Sequence, residues 1–286
     1  MDKDLQGKVI LLTGATEGIG RAAAGQFAAR GASLTIVGRN AEKTARVLAE
    51  LKAESSNEQL ASIVADLSQM SEVRRVAKEF RARHERLDVL ANNAGAVFTS
   101  RQVSADGLEM TFALNHVGYF LLTSLLLDLL QKTPGARVVS TSSGAHMMGK
   151  IDFDDIARRE KGFSGWGVYG SSKLANILFT RELARRLKDS GATANCLHPG
   201  FVQTRFALNN QGLMASAVKL TAALFARSPE KGAETLVWLA TSPEAANVSG
   251  EYFHDRKVAR TAALARDDAL AAKLWEFSEK LCAVSA

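Results

Sequence analysis

What most constrains the fold is an alternation that runs through the whole sequence: short, continuous apolar runs, each followed by a longer segment of helical periodicity. Strands are predicted at 9–12, 33–37, 60–64, 87–91, 137–141 and 193–197, with a seventh at 250–253. Helices are predicted through about residue 30 and at 42–54, 70–84, 106–131, 169–188 and 230–240. Apolar runs that do not alternate suit strands buried on both faces, and such strands separated by helices build a parallel sheet. Right-handed crossovers then lay helices over both faces. The expected fold is α/β: a doubly wound parallel sheet of about seven strands. No Pro-rich or Gly/Ser-rich linker and no internal repeat interrupts it, so 1–286 is read as a single domain. Ligands of such sheets bind beyond the carboxyl ends of the strands, and every motif below falls there or on the helix that follows.

Charge narrows the partners. The net charge is +6, but Lys and Arg are interspersed with Asp and Glu in no block of like sign. That argues against a nucleic-acid partner and suits a cofactor with several phosphates. Only Cys196 and Cys282 are present, far apart, which fits a reducing compartment without a disulfide framework. The first residues, Met1 to Gly7, carry no signal-peptide pattern, and apolar stretches fall short of the ~20 residues that span a bilayer. A cytoplasmic protein without a transmembrane segment is expected. The five histidines have no metal-ligand spacing, so no metal site is expected.

The first strand leads into Thr13-Gly14-Ala15-Thr16-Glu17-Gly18-Ile19-Gly20. Glycines there permit a tight turn and let backbone approach a pyrophosphate, which the following helix N-terminus stabilises through its free N–H groups and dipole. With three residues between Gly14 and Gly18, the spacing differs from G-x-G-x-x-G, and a turn that uses glycine for packing alone is the other reading. At the end of the second strand, where NAD selection usually needs a carboxylate, stand Gly38 and Arg39. A guanidinium there can pair with a 2′-phosphate, so NADP(H) is favoured over NAD(H). Glu17 in the glycine loop either opposes that phosphate or pairs with Arg39. Asp66, followed by Leu67, can meet an adenine or serve its own turn. Asn92-Asn93-Ala94-Gly95 after the fourth strand can pack against a nucleoside or form an ordinary turn.

Tyr169 and Lys173 lie four apart in a predicted helix and so share a face. A phenol titrates near about 10, and an adjacent ammonium lowers that value toward the range of a general acid/base. Alone, the pair reads equally as helix surface.

Taken together, Thr13 to Gly20, Asn92 to Gly95 and Tyr169-Gly170-Ser171-Ser172-Lys173 resemble, in order, the motifs of the short-chain dehydrogenases/reductases, over nearly the whole chain from Gly7 to about Phe253. The resemblance implies a Rossmann-type fold and an NAD(P)-dependent oxidoreductase acting on a CH–OH or C=O group. It implies a catalytic Asn on the helix after the fourth strand, matching Asn115, and a Ser after the fifth strand, matching Ser143, with Ser142 as the fallback. It places Pro199-Gly200, with Val202 and Thr204 beyond, beside a nicotinamide. In the implied mechanism Tyr169 exchanges a proton with the substrate oxygen while Ser143 polarises it. Lys173 bonds the ribose and lowers the tyrosine pKa, and Asn115 holds a water on the proton path. Members are commonly dimers or tetramers, so a homo-oligomer is a possible assembly.

Within the family, the segments 115–123 and 172–180, His198-Pro199-Gly200, and the 26 residues from Ser143 to Tyr169 look most like the retinol dehydrogenase and WW-domain oxidoreductase branch. Those retinoid enzymes commonly have an amino-terminal membrane anchor, whose pattern the first residues here lack, so the expected substrate is broader: a small apolar carbonyl compound or alcohol. His146, Met147 and Met148 border the expected site, and Trp166 its entrance. The segment 203–227, with Phe206, Leu213, Met214 and Phe225, reads as an amphipathic substrate lid, or else as an interface or membrane-surface helix. A cofactor-binding regulator of the same fold without turnover is the competing function. Such a protein is expected to lose Tyr or Lys, whereas Asn115, Ser143, Tyr169 and Lys173 are all present.

Overall fold

The computed structural model describes residues 3–158, 160, 162–200 and 227–284. Eight strands form one sheet in the order β3-β2-β1-β4-β5-β6-β7-β8. They are β1 Val9–Thr13, β2 Ser33–Gly38, β3 Leu60–Val64, β4 Val89–Asn92, β5 Arg137–Thr141, β6 Thr193–Leu197, β7 Tyr252–His254 and β8 Lys257–Val258. All neighbours from β3 to β7 pair in parallel, and only β8 is antiparallel, to β7.

Side chains of β1 show why the runs had to be apolar throughout. Val9 and Leu11 enter one core, together with α3 (Met70–Arg81), α5 (Gly118–Leu125), α7 (Gly165–Arg186) and the last helix, Asp268–Cys282. Ile10 and Leu12 enter the other, with α1 (Gly18–Ala29), α2 (Ala41–Ser55) and the helix Pro229–Thr241. A strand with two buried faces cannot alternate. Among the described residues no helix is long and apolar enough to cross a membrane.

Three features depart from the sequence reading. The single helix expected over 106–131 is broken into α4 (Met110–Phe112), one π turn (Ala113–Val117), α5, and α6 (Leu127–Lys132), with a break at Leu126. An inserted residue that widens one turn leaves helical hydrophobic periodicity almost unchanged, so the pattern does not reveal it. The hairpin of β7 and β8 turns on Asp255 and Arg256, both at positive φ (48° and 61°). That is a tight two-residue turn without the Asn-Gly or Asp-Gly pair that normally signals one. The last helix also escaped the sequence reading. Its signal was present in Asp267, which caps it by accepting from Leu270 N at 2.9 Å, and in buried Ala271, Leu274, Trp275, Ser278 and Cys282.

The strand order reverses between β1 and β4, and the candidate site is drawn from the segments that follow their carboxyl ends.

Candidate active site

Thr13 closes the floor of the site. Its buried hydroxyl donates to Ala91 O and accepts from Asn93 N (2.9 Å) and Ala94 N (3.1 Å). Asn93 returns the contact, its amide donating to Thr13 O (3.1 Å) and Gly14 O (3.2 Å) and accepting from Thr141 Oγ1 (3.3 Å). Asn93 therefore ties together the ends of β1, β4 and β5, work that its motif does not reveal by itself. Backbone packs so tightly here that a Cβ added to Gly14, at φ +68°, would lie 2.6 Å from Ala94 Cα. One added to Gly20 would lie 2.1 Å from Gly14 O.

Helix α1 starts at Gly18, itself at φ +52°, and Ile19 follows in its first turn. Its N-cap, Glu17, is extended and makes no side-chain cap bond, so first-turn N–H groups face outward without a protein side-chain acceptor. Thr16 packs against Gly38. Arg39 is exposed just beyond β2 and makes no ion pair among the described residues. Glu17 does not pair with Arg39: its carboxylate accepts from Lys43 Nζ at 2.5 Å. Asp66 serves its own turn, with Oδ1 accepting from Ser68 N (3.0 Å) and Ser68 Oγ (2.7 Å). Leu67 is buried, and its carbonyl lies against Gly118. These groups fit a dinucleotide: an uncapped helix N-terminus on a glycine turn for phosphates, a free guanidinium, and close-packed backbone on the nucleoside side.

The second half of the site is built on α7. Ser164 caps it, accepting from Gly167 N at 3.3 Å, so the helix begins four residues before Tyr169. Gly170 lets it lie directly on the short 3₁₀ turn Gly144–Met148, where an added Cβ would be 2.7 Å from Ala145 O. That contact sets Tyr169 beside Ser143. The Ser143 side chain is near enough to the Tyr169 hydroxyl to lower its pKa, and its oxygen accepts from Ala145 N at 3.2 Å. Ser142 is directed elsewhere, its hydroxyl donating to Lys173 O at 2.8 Å. Of the two serines, the structure brings only Ser143 to the tyrosine.

Lys173 is 2% exposed and donates to Thr141 O at 3.0 Å, with Nζ 5.6 Å from the Tyr169 ring centre and 5.7 Å from that of Tyr119. Burial pushes its ammonium down to about 7. Tyr169, 7% exposed, is pushed up by burial to about 12, opposed by the neighbouring Ser143 side chain. In the chain by itself burial thus outweighs the lowering expected from the adjacent ammonium, and the phenol is held protonated.

Asn115 sits in the π turn. Its amide donates to Ala96 O (3.0 Å) and Ser172 Oγ (3.1 Å) and accepts from Ala96 N (2.9 Å), which fixes it between β4 and α7. Gly95 runs so close that an added Cβ would lie 3.1 Å from Asn115 Oδ1 and 3.4 Å from Lys173 Nζ. The inserted residue of a π turn releases a main-chain carbonyl from the helical ladder, a common feature of functional sites.

His146 has a part that the sequence did not disclose. It is buried, bonds Ser143 O through Nδ1 at 2.7 Å and accepts from Ala262 N through Nε2 at 3.2 Å, so it braces the serine turn from behind instead of bordering a substrate. Burial lowers its pKa. Met147 and Met148 are 60% and 61% exposed, and Trp166 meets the Tyr169 ring edge-on at 5.9 Å. Pro199 and Gly200 follow β6, with Gly200 at φ +84° donating to His198 Nδ1 at 3.2 Å. Val202, Thr204 and the expected lid up to residue 226 lie outside the described residues.

Comparison with known proteins identifies the family. The family model described as short chain dehydrogenase matches residues 8–212. Human retinol dehydrogenase 13 is 37% identical over 287 residues, spanning 99% of this chain and 86% of that protein. A protein of Streptomyces sp. (strain C5), provisionally described as a daunorubicin C-13 ketoreductase, is 40% identical across 96% of this chain and 92% of its own length. Among solved structures, the Pseudomonas aeruginosa RhlG/NADP active-site complex superposes with a TM-score of 0.69 at 27% identity, covering 87% of this chain and 95% of that one. The chain belongs to the short-chain dehydrogenases, in the branch of the retinol dehydrogenases, and is an NAD(P)-dependent oxidoreductase of alcohols and carbonyl compounds.

Proposed function

We propose that this enzyme is an NADP(H)-dependent carbonyl reductase of small apolar compounds, also able to oxidise the corresponding primary or secondary alcohols, with Tyr169 as its general acid/base. The observation that carries the reading is the placing of Lys173, buried with its Nζ 5.6 Å from the centre of the Tyr169 ring, beside a tyrosine whose pKa the neighbouring Ser143 side chain lowers against burial.

A nicotinamide dinucleotide, when bound, supplies the hydride chemistry. The glycine turn from Gly14 to Gly20 and the N-terminus of α1 would hold its pyrophosphate, Arg39 its 2′-phosphate, Asp66 and Leu67 its adenine end. Ala94, Gly95, Pro199 and Gly200, with Val202 and Thr204, would border its nicotinamide end. The chain contributes position and the proton. Ser143 donates to the substrate oxygen and draws charge onto it. Tyr169, held protonated by burial, gives its proton to that oxygen in reduction; in oxidation it first passes its own proton toward Lys173 and then takes that of the alcohol. Lys173 restores the tyrosine proton, and a water on the carbonyl released by the π turn at Asn115 would connect Lys173 to solvent.

Arg39 supports the choice of NADP(H): it is unpaired among the described residues, at the position where NAD selection uses a carboxylate. Trp166 against Tyr169 and the exposed Met147 and Met148 support an apolar substrate. Two buried, unpaired cysteines suit a reducing, cytoplasmic setting. NADPH absorbance followed against a panel of apolar aldehydes and ketones tests the reading. Turnover with NADPH well above that with NADH is expected, and cofactor binding without turnover on every carbonyl would refute it.

A further inference from the structure

Where the catalytic helices meet the last helix, three polar side chains are buried within a cage of aromatic rings. They are His116 in the π turn, Asn176 on α7 and Ser278 on the last helix. The His116 ring lies 5.0 Å from that of Phe112, 6.4 Å from Phe120 and 6.3 Å from Phe179. Trp275 closes the cage, stacked on Phe179 at 5.8 Å and edge-on to Phe120 at 5.0 Å. His116 Nε2 is 3.0 Å from Ser278 Oγ, which in turn is 2.8 Å from Leu274 O, a carbonyl that already has its helical donor. His116 Nδ1 and Asn176 Oδ1 are both buried without a hydrogen bond, although the Asn176 side chain is near enough to oppose the lowering of the imidazole pKa by burial. The other end of that amide, Nδ2, donates to Thr141 O at 3.3 Å, and Lys173 Nζ donates to the same carbonyl at 3.0 Å. His116 directly follows Asn115, and Asn176 lies one turn past Lys173.

The tautomer of His116 decides whether these groups are satisfied. With the proton on Nε2, Ser278 accepts it, and Nδ1 and Asn176 Oδ1 remain two buried acceptors with no proton between them, which costs free energy in an apolar cage. With the proton on Nδ1, one hydrogen bond to Asn176 Oδ1 satisfies both. Ser278 then turns its hydroxyl proton from Leu274 O to Nε2 at no loss to the helix. We propose that His116 is the Nδ1–H tautomer and a positioning residue for the proton path, donating to Asn176 and accepting from Ser278. This role rests on the work proposed for Tyr169 and Lys173. An amide can present either end to a neighbour. His116 fixes the oxygen of Asn176 toward itself and so keeps its nitrogen on Thr141 O. Lys173 and Asn176 then share one carbonyl, and Nζ stays 5.6 Å from the Tyr169 ring centre. With the amide reversed, its oxygen competes with Thr141 O for the ammonium and draws Nζ from the tyrosine. Through Ser278, the last helix acts on the reaction centre from behind.

Imidazole nitrogen-15 shifts of the free protein, assigned by the signals lost in the His116 variants, read the tautomer directly. A protonated Nδ1 and a bare Nε2 are expected, and the reverse overturns the proposal. Steady-state reduction of an apolar ketone reads the consequence. His116→Phe keeps a ring in the cage but no nitrogen, and is expected to lower kcat about tenfold with KM for the ketone within about twofold of wild type. His116→Asn loses ring packing but keeps an N–H near the place of Nδ1–H, so it should melt lower than His116→Phe yet turn over faster. A role in packing alone gives the same order for melting and turnover, and that outcome overturns the positioning role. Should His116→Phe fail to fold, Ser278→Ala removes the donor to Nε2 with little change of volume and is expected to lower kcat about threefold; an unchanged kcat overturns the proposal. Tyr169→Phe, assayed alongside, separates the two levels. If it reduces the ketone as wild type does, the proposed chemistry falls, and the role of His116 with it. If it is inactive while His116→Phe turns over normally, the role of His116 alone is overturned.

Discussion

Ser143 and Tyr169, 26 residues apart in the chain, come together because Gly170 lets α7 rest directly on the turn that follows Ser143. That closeness puts a hydroxyl donor beside a proton source. Neighbouring Ser142 faces away, into Lys173 O.

The two serines should therefore separate cleanly on substitution. Ser143→Ala is expected to lower kcat by about 10²–10³, as removal of one oxyanion donor does, with NADPH affinity nearly unchanged. Ser142→Ala removes one buried bond to a carbonyl that keeps its helical donor, so it should cost about 0.5–1.5 kcal/mol of stability while the surviving enzyme turns over. Steady-state kinetics and urea unfolding of both variants check this; the reverse pattern would make Ser142 the substrate anchor.

Lys173 gives the site a measurable pH signature. Its folded pKa, near 7, lies below the ordinary lysine value, so between about 7 and 10.5 the unfolded chain binds one more proton than the folded one. Stability attributable to this group rises with pH across that window, by at most about 1.4 kcal/mol per unit, and is lost as pH falls toward 7. Compared with Lys173→Met in the absence of cofactor, the wild type should gain stability as pH is raised from 7.5 to 9.5. A difference that stays flat over this range would show that Lys173 is not held neutral.

His146 braces the Ser143 turn through both ring nitrogens. His146→Ala is expected to reduce kcat about tenfold or more through misplacement of Ser143, without weakening NADPH binding. Met147→Ala, at an exposed neighbouring position, should change KM for apolar substrates and leave kcat alone. Equal effects of the two substitutions on kcat would argue against a positioning role for His146.

Much of this was legible in the sequence. Unbroken apolar runs such as Ile10-Leu11-Leu12 announce strands with two buried faces, and the i, i+4 spacing of Tyr169 and Lys173 puts them on one side of a helix. The choice of Ser143 over Ser142 was not decidable from spacing, because it depends on the extended backbone of Ser143 at the start of a 3₁₀ turn. The π turn at Asn115 leaves hydrophobic periodicity nearly intact, and the brace formed by His146 depends on Ala262, more than a hundred residues away. The acid–base balance was also hidden: a sequence shows the charge of Lys173 near Tyr169 but not the burial that raises the phenol and lowers the amine.

Tyr169→Phe removes one oxygen from the centre of the site and keeps the ring that packs against Trp166. The most direct test is single-turnover reduction of an apolar ketone by this variant preloaded with NADPH, set beside its NADPH affinity measured by fluorescence. Affinity within about threefold of wild type, with hydride transfer slowed by about 10³ or more, is the expected result. Transfer at close to the wild-type rate would contradict the role of Tyr169 as the proton donor.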